Sequence, residues 1–156
     1  MQIRPADEAD LDTVSALRVA FVAEVRGVDT TSLPMTFVSA TRDSHRRCFA
    51  AGRLRSWLAI DGETMLGVVS LLVDEVPPRP EDERHLQAFV LNLFVQPPHR
   101  GRGIGRHLME ACLDDARTTG VRLLGLHTTA DGRPLYEALG FRTQESWLEL
   151  AVQDER

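Results

Sequence analysis

The chain contains no lysine: all 18 positions that are lysine or arginine are arginine. This absence excludes lysine Schiff-base chemistry and a lysine nucleophile. It also excludes a Walker A phosphate loop, which ends in Gly-Lys-Ser/Thr. Cysteine is nearly absent as well. Cys48 and Cys112, both in stretches of helical periodicity, make no disulfide framework, and no Cys/His spacing resembles a zinc site. Sparse thiols are expected of a reducing compartment, here the cytoplasm. No apolar run is long enough to span a membrane, and Met1 to Pro5 has no signal-peptide core. An excess of positive charge is lacking too. The formal net charge of -5 argues against a general nucleic-acid binder, whose footprint is basic.

What is present suits one ordinary globular domain over residues 1–156, with 43% hydrophobic and 26% charged residues. Gln2 to Arg4 reads as a short strand. Asp7 is placed to cap a helix over 8–26, with Leu11, Val14, Leu17, Phe21 and Val25 at helical spacing and Gly27 as the stop. Residues 28–33 read as a loop, and Pro34 opens a second helix to about Ala51, with Phe37, Ala40 and Phe49 as its expected buried members. Asp61-Gly62-Glu63 between apolar runs signals a hairpin from Trp57 to Val73. Pro77, Pro78 and Pro80 mark a linker that cannot pair in a sheet. A central strand is expected from Leu86 to Val95, then a helix presenting Ile104, Leu108, Cys112 and Ala116. A strand over 121–128, a short helix over 132–138 and closing strands within 141–152 complete an α/β domain with a mixed sheet.

The most informative stretch is Val95-Gln96-Pro97-Pro98-His99-Arg100-Gly101-Arg102-Gly103-Ile104-Gly105-Arg106. Prolines end the strand, glycines let the backbone turn tightly, and a helix begins at once. Several N–H groups therefore converge on the positive end of a helix, a site for a phosphate or pyrophosphate. Arg100, Arg102 and Arg106 can add forked donors for the same anion. The dinucleotide fingerprint fails, because Arg106 stands where it needs a third glycine.

The pattern Arg-x-x-Gly-x-Gly, read as Arg100, Gly103 and Gly105 between an apolar strand and a helix, resembles the acyl-CoA pyrophosphate loop of the GNAT superfamily of N-acetyltransferases. Further on, Leu135-Tyr136-Glu137-Ala138-Leu139-Gly140-Phe141 resembles the second acyl-CoA motif of that superfamily, in matching order. The resemblance covers Phe89 to about Trp147 well and the first half only in element order. It implies a mixed sheet splayed between the central strand and the next, with the pantetheine arm of acetyl-CoA in the gap. It further implies that Phe94 and Val95 pair with pantetheine amides and that Gly101, Arg102, Gly103, Ile104, Gly105 and Arg106 hold the pyrophosphate beside Arg100. Thr129 stands where relatives commonly carry a cofactor-binding asparagine.

The activity implied is acetyl transfer from acetyl-CoA to an amine of a small molecule or peptide by direct attack, with Tyr136 as general acid and no metal. Where many relatives place a glutamate base on the central strand, this chain has Leu91 and Asn92. Glu83, His85 and His127 are candidate substitutes, although His127 also fits a hydrogen-bonded core position. Glu24, Asp29, Asp74 and Glu75 fall in regions that line the acceptor pocket of the superfamily. Other readings are a non-catalytic acyl-CoA sensor, a hydroxyl acceptor, or a longer acyl donor. Homodimers are frequent in the superfamily.

Overall fold

The computed structural model describes residues 1–78, 80 and 85–144. The chain runs β1 (Gln2–Pro5), α1 (Leu11–Arg26), α2 (Met35–Ala50), β2 (Leu54–Asp61), β3 (Thr64–Val76), β4 (His85–Val90), β5 (Phe94–Val95), α3 (Ile104–Thr118), β6 (Val121–Leu126) and α4 (Arg133–Ala138), with single 3-10 turns before α1, α2 and α3. Expected elements and observed elements agree in order throughout this range. The closing strands expected within 141–152 fall largely on residues 145–152, outside the described residues, and 141–144 form no strand.

One sheet orders its strands β1-β2-β3-β4-β6, with β5 also on β3. Neighbours are antiparallel except β4 and β6, which run parallel, so the sheet is mixed. Helices cover both faces. Val14 and Leu17 of α1 pack with Leu58, Val68 and Phe94. Ile104, Leu108, Met109, Cys112 and Ala116 of α3 pack on the opposite face against Val69, Leu71, Ala88 and Val90. Burying each large apolar side chain of this kind contributes about 1.5–3 kcal/mol.

Local signals explain the boundaries. Asp7 accepts from the Ala9 N–H at 2.9 Å, while Asp10 accepts from the Asp7 N–H at 2.9 Å, a reciprocal cap at the entry to α1. Gly27 ends α1 in the left-handed region at φ 65°. The α2 expectation needs correcting. Phe37 and Phe49 are only half-buried, Ala40 is exposed, and the buried residue is His45. Its ring lies 2.9 Å from Ser15 Oγ of α1, so a hydrogen bond satisfies a polar group at a core position.

The unbroken apolar run predicts one central strand from Leu86 to Val95, but the strand is interrupted between Val90 and Phe94. Register changes between Leu71↔Val90 and Val68↔Phe94, so β3 faces one extra residue. The Leu91 N–H donates to Ser70 O at 3.0 Å, and the Ser70 N–H donates to Asn92 O at 3.1 Å. Two residues thus oppose one, a β-bulge. The insertion flips side-chain alternation: Ala88 and Val90 face α3, whereas Phe94 faces α1. The parallel ladder with β6 ends at Val90↔Leu126, just before the bulge.

Candidate active site

Beyond that point the sheet opens. The Gln96 N–H donates to Leu66 O at 2.9 Å, and Asn92 O accepts from Ser70. By the alternation of an antiparallel ladder, the backbone groups of Asn92, Phe94 and Gln96 point at β3, and those of Leu93 and Val95 point away. Among the described residues Leu93 makes no backbone hydrogen bond, while Val95 O accepts from Arg100 Nε at 2.8 Å. The gap therefore offers the Leu93 N–H and C=O and the Val95 N–H. Leu93 was not singled out from the sequence, because only the bulge register reveals its direction.

The loop after β5 leads into α3 through Gly101 at φ 73° and Gly103 at φ 76°, a conformation that disfavours side chains. After the Arg100 N–H, which donates to Pro97 O at 3.3 Å, the next N–H to find an acceptor is that of His107, on Gly103 O at 3.1 Å. Among the described residues no group accepts from the N–H groups of Gly101, Arg102, Gly103, Ile104, Gly105 or Arg106. Six open donors at a helix N-terminus form a concave, positive cradle for an anion.

Loop and gap share one cleft of about 590 Å³, running from Phe21, Glu24 and Val25 of α1 past Leu93, Phe94 and Val95 to Thr129, Gly132 and Leu135 at α4. Thr129 Oγ1 accepts from the Gly132 N–H at 3.2 Å. Glu24, His99 and Asp131 are the cleft's proton-accepting side chains among the described residues. Asp131 and His99 were not singled out from the sequence, since nothing in their spacing shows that they border one cleft.

The arginines divide. Arg100 Nη2 donates to both oxygens of Glu24, at 2.9 and 2.7 Å, and its guanidinium lies 5.6 Å from the Phe94 ring centroid. Its charge is thereby tied to α1. Arg106 pairs at 3.8 Å with Glu110, one turn along α3, and Arg102 is exposed.

Tyr136 follows Leu135 of the cleft wall. Its ring is buried edge-on against Phe141, with centroids 5.7 Å apart. Burial pushes the phenol pKa up from its ordinary 10, so the hydroxyl stays protonated at neutral pH.

The candidate bases lie elsewhere. His85 is buried at the start of β4, with Nε2 at 3.2 Å from Gln87 Nε2. Six residues separate it from Leu91, roughly 20 Å along a strand. His127 is exposed and tilted against Phe89 at 5.2 Å, not held in the core, because it follows the last paired residue of β6. Glu83 lies outside the described residues. Asp74 accepts from Arg53 at 2.7 Å and, like Glu75, stands at the His85 end of the sheet. Asp29 is exposed.

Comparison with known proteins settles the family. The model of the acetyltransferase (GNAT) family matches residues 22–141. The chain belongs to that family. A 58-residue stretch is 40% identical to the [ribosomal protein bS18]-alanine N-acetyltransferase of Salmonella typhimurium, spanning 35% of this chain and 39% of that protein. This GNAT chain therefore matches less than half the length of that curated relative. A GCN5-related N-acetyltransferase from Ralstonia eutropha is 28% identical, with a TM-score of 0.74 over 97% of this chain and 99% of its own. The crystal structure of a predicted acetyltransferase with acetyl-CoA from Clostridium acetobutylicum shares the fold at a TM-score of 0.85 and 20% identity, covering 97% and 96% of the two chains.

Proposed function

We propose that this GNAT chain moves an acetyl group from acetyl-CoA to a primary amine of a small molecule or peptide by direct attack. The observation that carries this reading is the run of open N–H groups from Gly101 to Arg106, continuous in one cleft with the backbone of Leu93 and the N–H of Val95 that β3 leaves unpaired. Acetyl-CoA supplies an acyl carbon already activated as a thioester. The loop donors hold its diphosphate. The Leu93 and Val95 groups align the pantetheine arm, and a strand N–H stabilises the negative charge that develops on the thioester oxygen.

An aliphatic amine is mostly protonated at neutral pH and must first lose a proton, to water or to a cleft base such as Glu24, His99 or Asp131. The lone pair then attacks the acyl carbon. The C–N bond forms, the C–S bond breaks, and its electron pair leaves on sulfur. Tyr136 O–H supplies the proton that sulfur needs and is reprotonated from the amine side through solvent. The products are an acetamide and the thiol of CoA.

The test is incubation with acetyl-CoA and an amine panel, reading free thiol. Thiol release that requires an acceptor supports transfer. Tight acetyl-CoA binding with no release across the panel would overturn it in favour of a binding module.

A further inference from the structure

Arg18 on α1 is half-buried and has no carboxylate partner among the described residues. Arg26, Arg47, Arg102 and Arg142 also lack such a partner among the described residues, but all four are exposed. Arg18 uses one nitrogen, Nη1, to donate to Leu91 O at 2.8 Å, and its guanidinium lies 5.4 Å from the Phe21 ring centroid. Taking a cation partly out of water without a counter-charge is costly. Holding one carbonyl does not require that cost, because a neutral amide side chain can donate the same hydrogen bond.

Its position is the informative part. Leu91 is the first residue of the bulge, two residues before Leu93, whose N–H opens on the gap. Leu91, whose carbonyl Arg18 holds, therefore stands about 7 Å along the chain from Leu93, at 3.3 Å per strand residue, and the guanidinium lies against Phe21, which lines the cleft. Phe21 packs edge-on against Phe94, with centroids 6.3 Å apart, and both line the cleft. Arg18, Phe21 and Val25 share one face of α1 at helical spacing. Next to Leu91 in the bulge, Asn92 is 2% exposed, and among the described residues neither its side-chain nitrogen nor its oxygen has a partner. A cation with no carboxylate partner among the described residues thus lies against the Phe21 wall of the cleft, and the carbonyl it holds is next in sequence to a buried amide at the bulge.

We infer that Arg18 selects the acceptor: a small amine that also carries a carboxylate close to its nitrogen, which supplies the missing counter-charge. This rests on the transfer reading above. The carboxylate docks on the two guanidinium nitrogens that Leu91 leaves unused, and the amine is carried toward the thioester. An amino acid has the required reach; its ester keeps the amine and loses the charge.

The experiment measures kcat/KM for matched pairs, free amino acids against their methyl esters, with acetyl-CoA saturating. Wild type should prefer the acids by at least about thirtyfold, consistent with a charge-assisted pair. Arg18→Gln should bring that ratio near one, chiefly through KM, while acetyl-CoA affinity stays unchanged. Arg18→Lys should keep part of the preference, and Arg26→Gln on the exposed part of the helix should keep all of it. Esters used as well as acids by wild type would overturn the inference while leaving acetyl transfer intact. An unchanged ratio in a folded Arg18→Gln or Arg18→Lys protein would overturn it equally. Bound acetyl-CoA with no turnover of either series would overturn the transfer reading and this inference together.

Discussion

Arg100 and Glu24 are 76 residues apart in sequence, yet Arg100 Nη2 lies 2.7 Å from Glu24 Oε2, joining the phosphate-loop segment to α1 across the cleft mouth. Both residues line the cleft. Both side chains are 44% exposed, so solvent screens the attraction. Glu24→Gln should therefore cost only about 0.2–1 kcal/mol in denaturant unfolding. It should leave CoA affinity, read by calorimetry, far less changed than any substitution in the glycine loop.

Gly105 presents a different case. A Cβ there would meet Leu135 at 3.6 Å, Val95 at 3.8 Å and Leu93 at 3.9 Å, all ordinary contacts. The helix therefore tolerates a side chain, but the branches of valine would fill the space between loop and gap. Gly105→Val should weaken acetyl-CoA binding at least about tenfold, or about 1.4 kcal/mol, with the melting temperature nearly unchanged. Retained affinity would show that the cofactor does not pass this point.

Gly67 holds the donor strand in place by having no side chain. A Cβ would fall 2.5 Å from Phe94 O and 3.1 Å from Val95 Cα, and backbone atoms cannot rotate away. Gly67→Ala should destabilise the fold by about 1–3 kcal/mol in a denaturant titration. It should also weaken acetyl-CoA binding by displacing β5.

In the proposed mechanism, Tyr136→Phe removes the proton that the leaving sulfur takes, while the ring keeps its contact with Phe141. Turnover should fall about 10²-fold, with KM for acetyl-CoA held within about twofold. Unchanged turnover would remove Tyr136 from the mechanism.

His45 makes stability depend on pH. Burial, and then the charge of Arg18, hold its pKa below the ordinary 6.5. As pH falls through 6.5, the unfolded chain takes up a proton that the folded ring still refuses. Stability is therefore full above 6.5 and declines below it, until the lowered folded pKa is reached. His45→Gln should flatten that acid limb in thermal melts taken between pH 7.5 and 5.

Much of this was legible in the residues. The α3 face of Ile104, Leu108, Cys112 and Ala116 followed from spacing alone, since an amphipathic helix on a sheet leaves one reading. The open loop donors followed from glycines placed between a strand and a helix. The bulge was not legible, because Phe89 to Val95 is almost uniformly apolar and carries no alternation for an inserted residue to disturb. Nor was the buried face of α2, where His45 takes an inward position only because Ser15 lies 2.9 Å away on another helix. Arg100 looked like a free cation for the same reason: its partner is distant in sequence.

The central claim is that the N–H groups from Gly101 to Arg106 hold the diphosphate of acetyl-CoA, with Leu93 and Val95 along its pantetheine arm. Titrating acetyl-CoA into isotopically labelled protein and following each backbone amide by NMR tests this directly. The largest shifts are predicted at residues 101–106, with Leu93 and Val95 next. Binding that left those amides still and moved others, or no binding at all, would contradict the account.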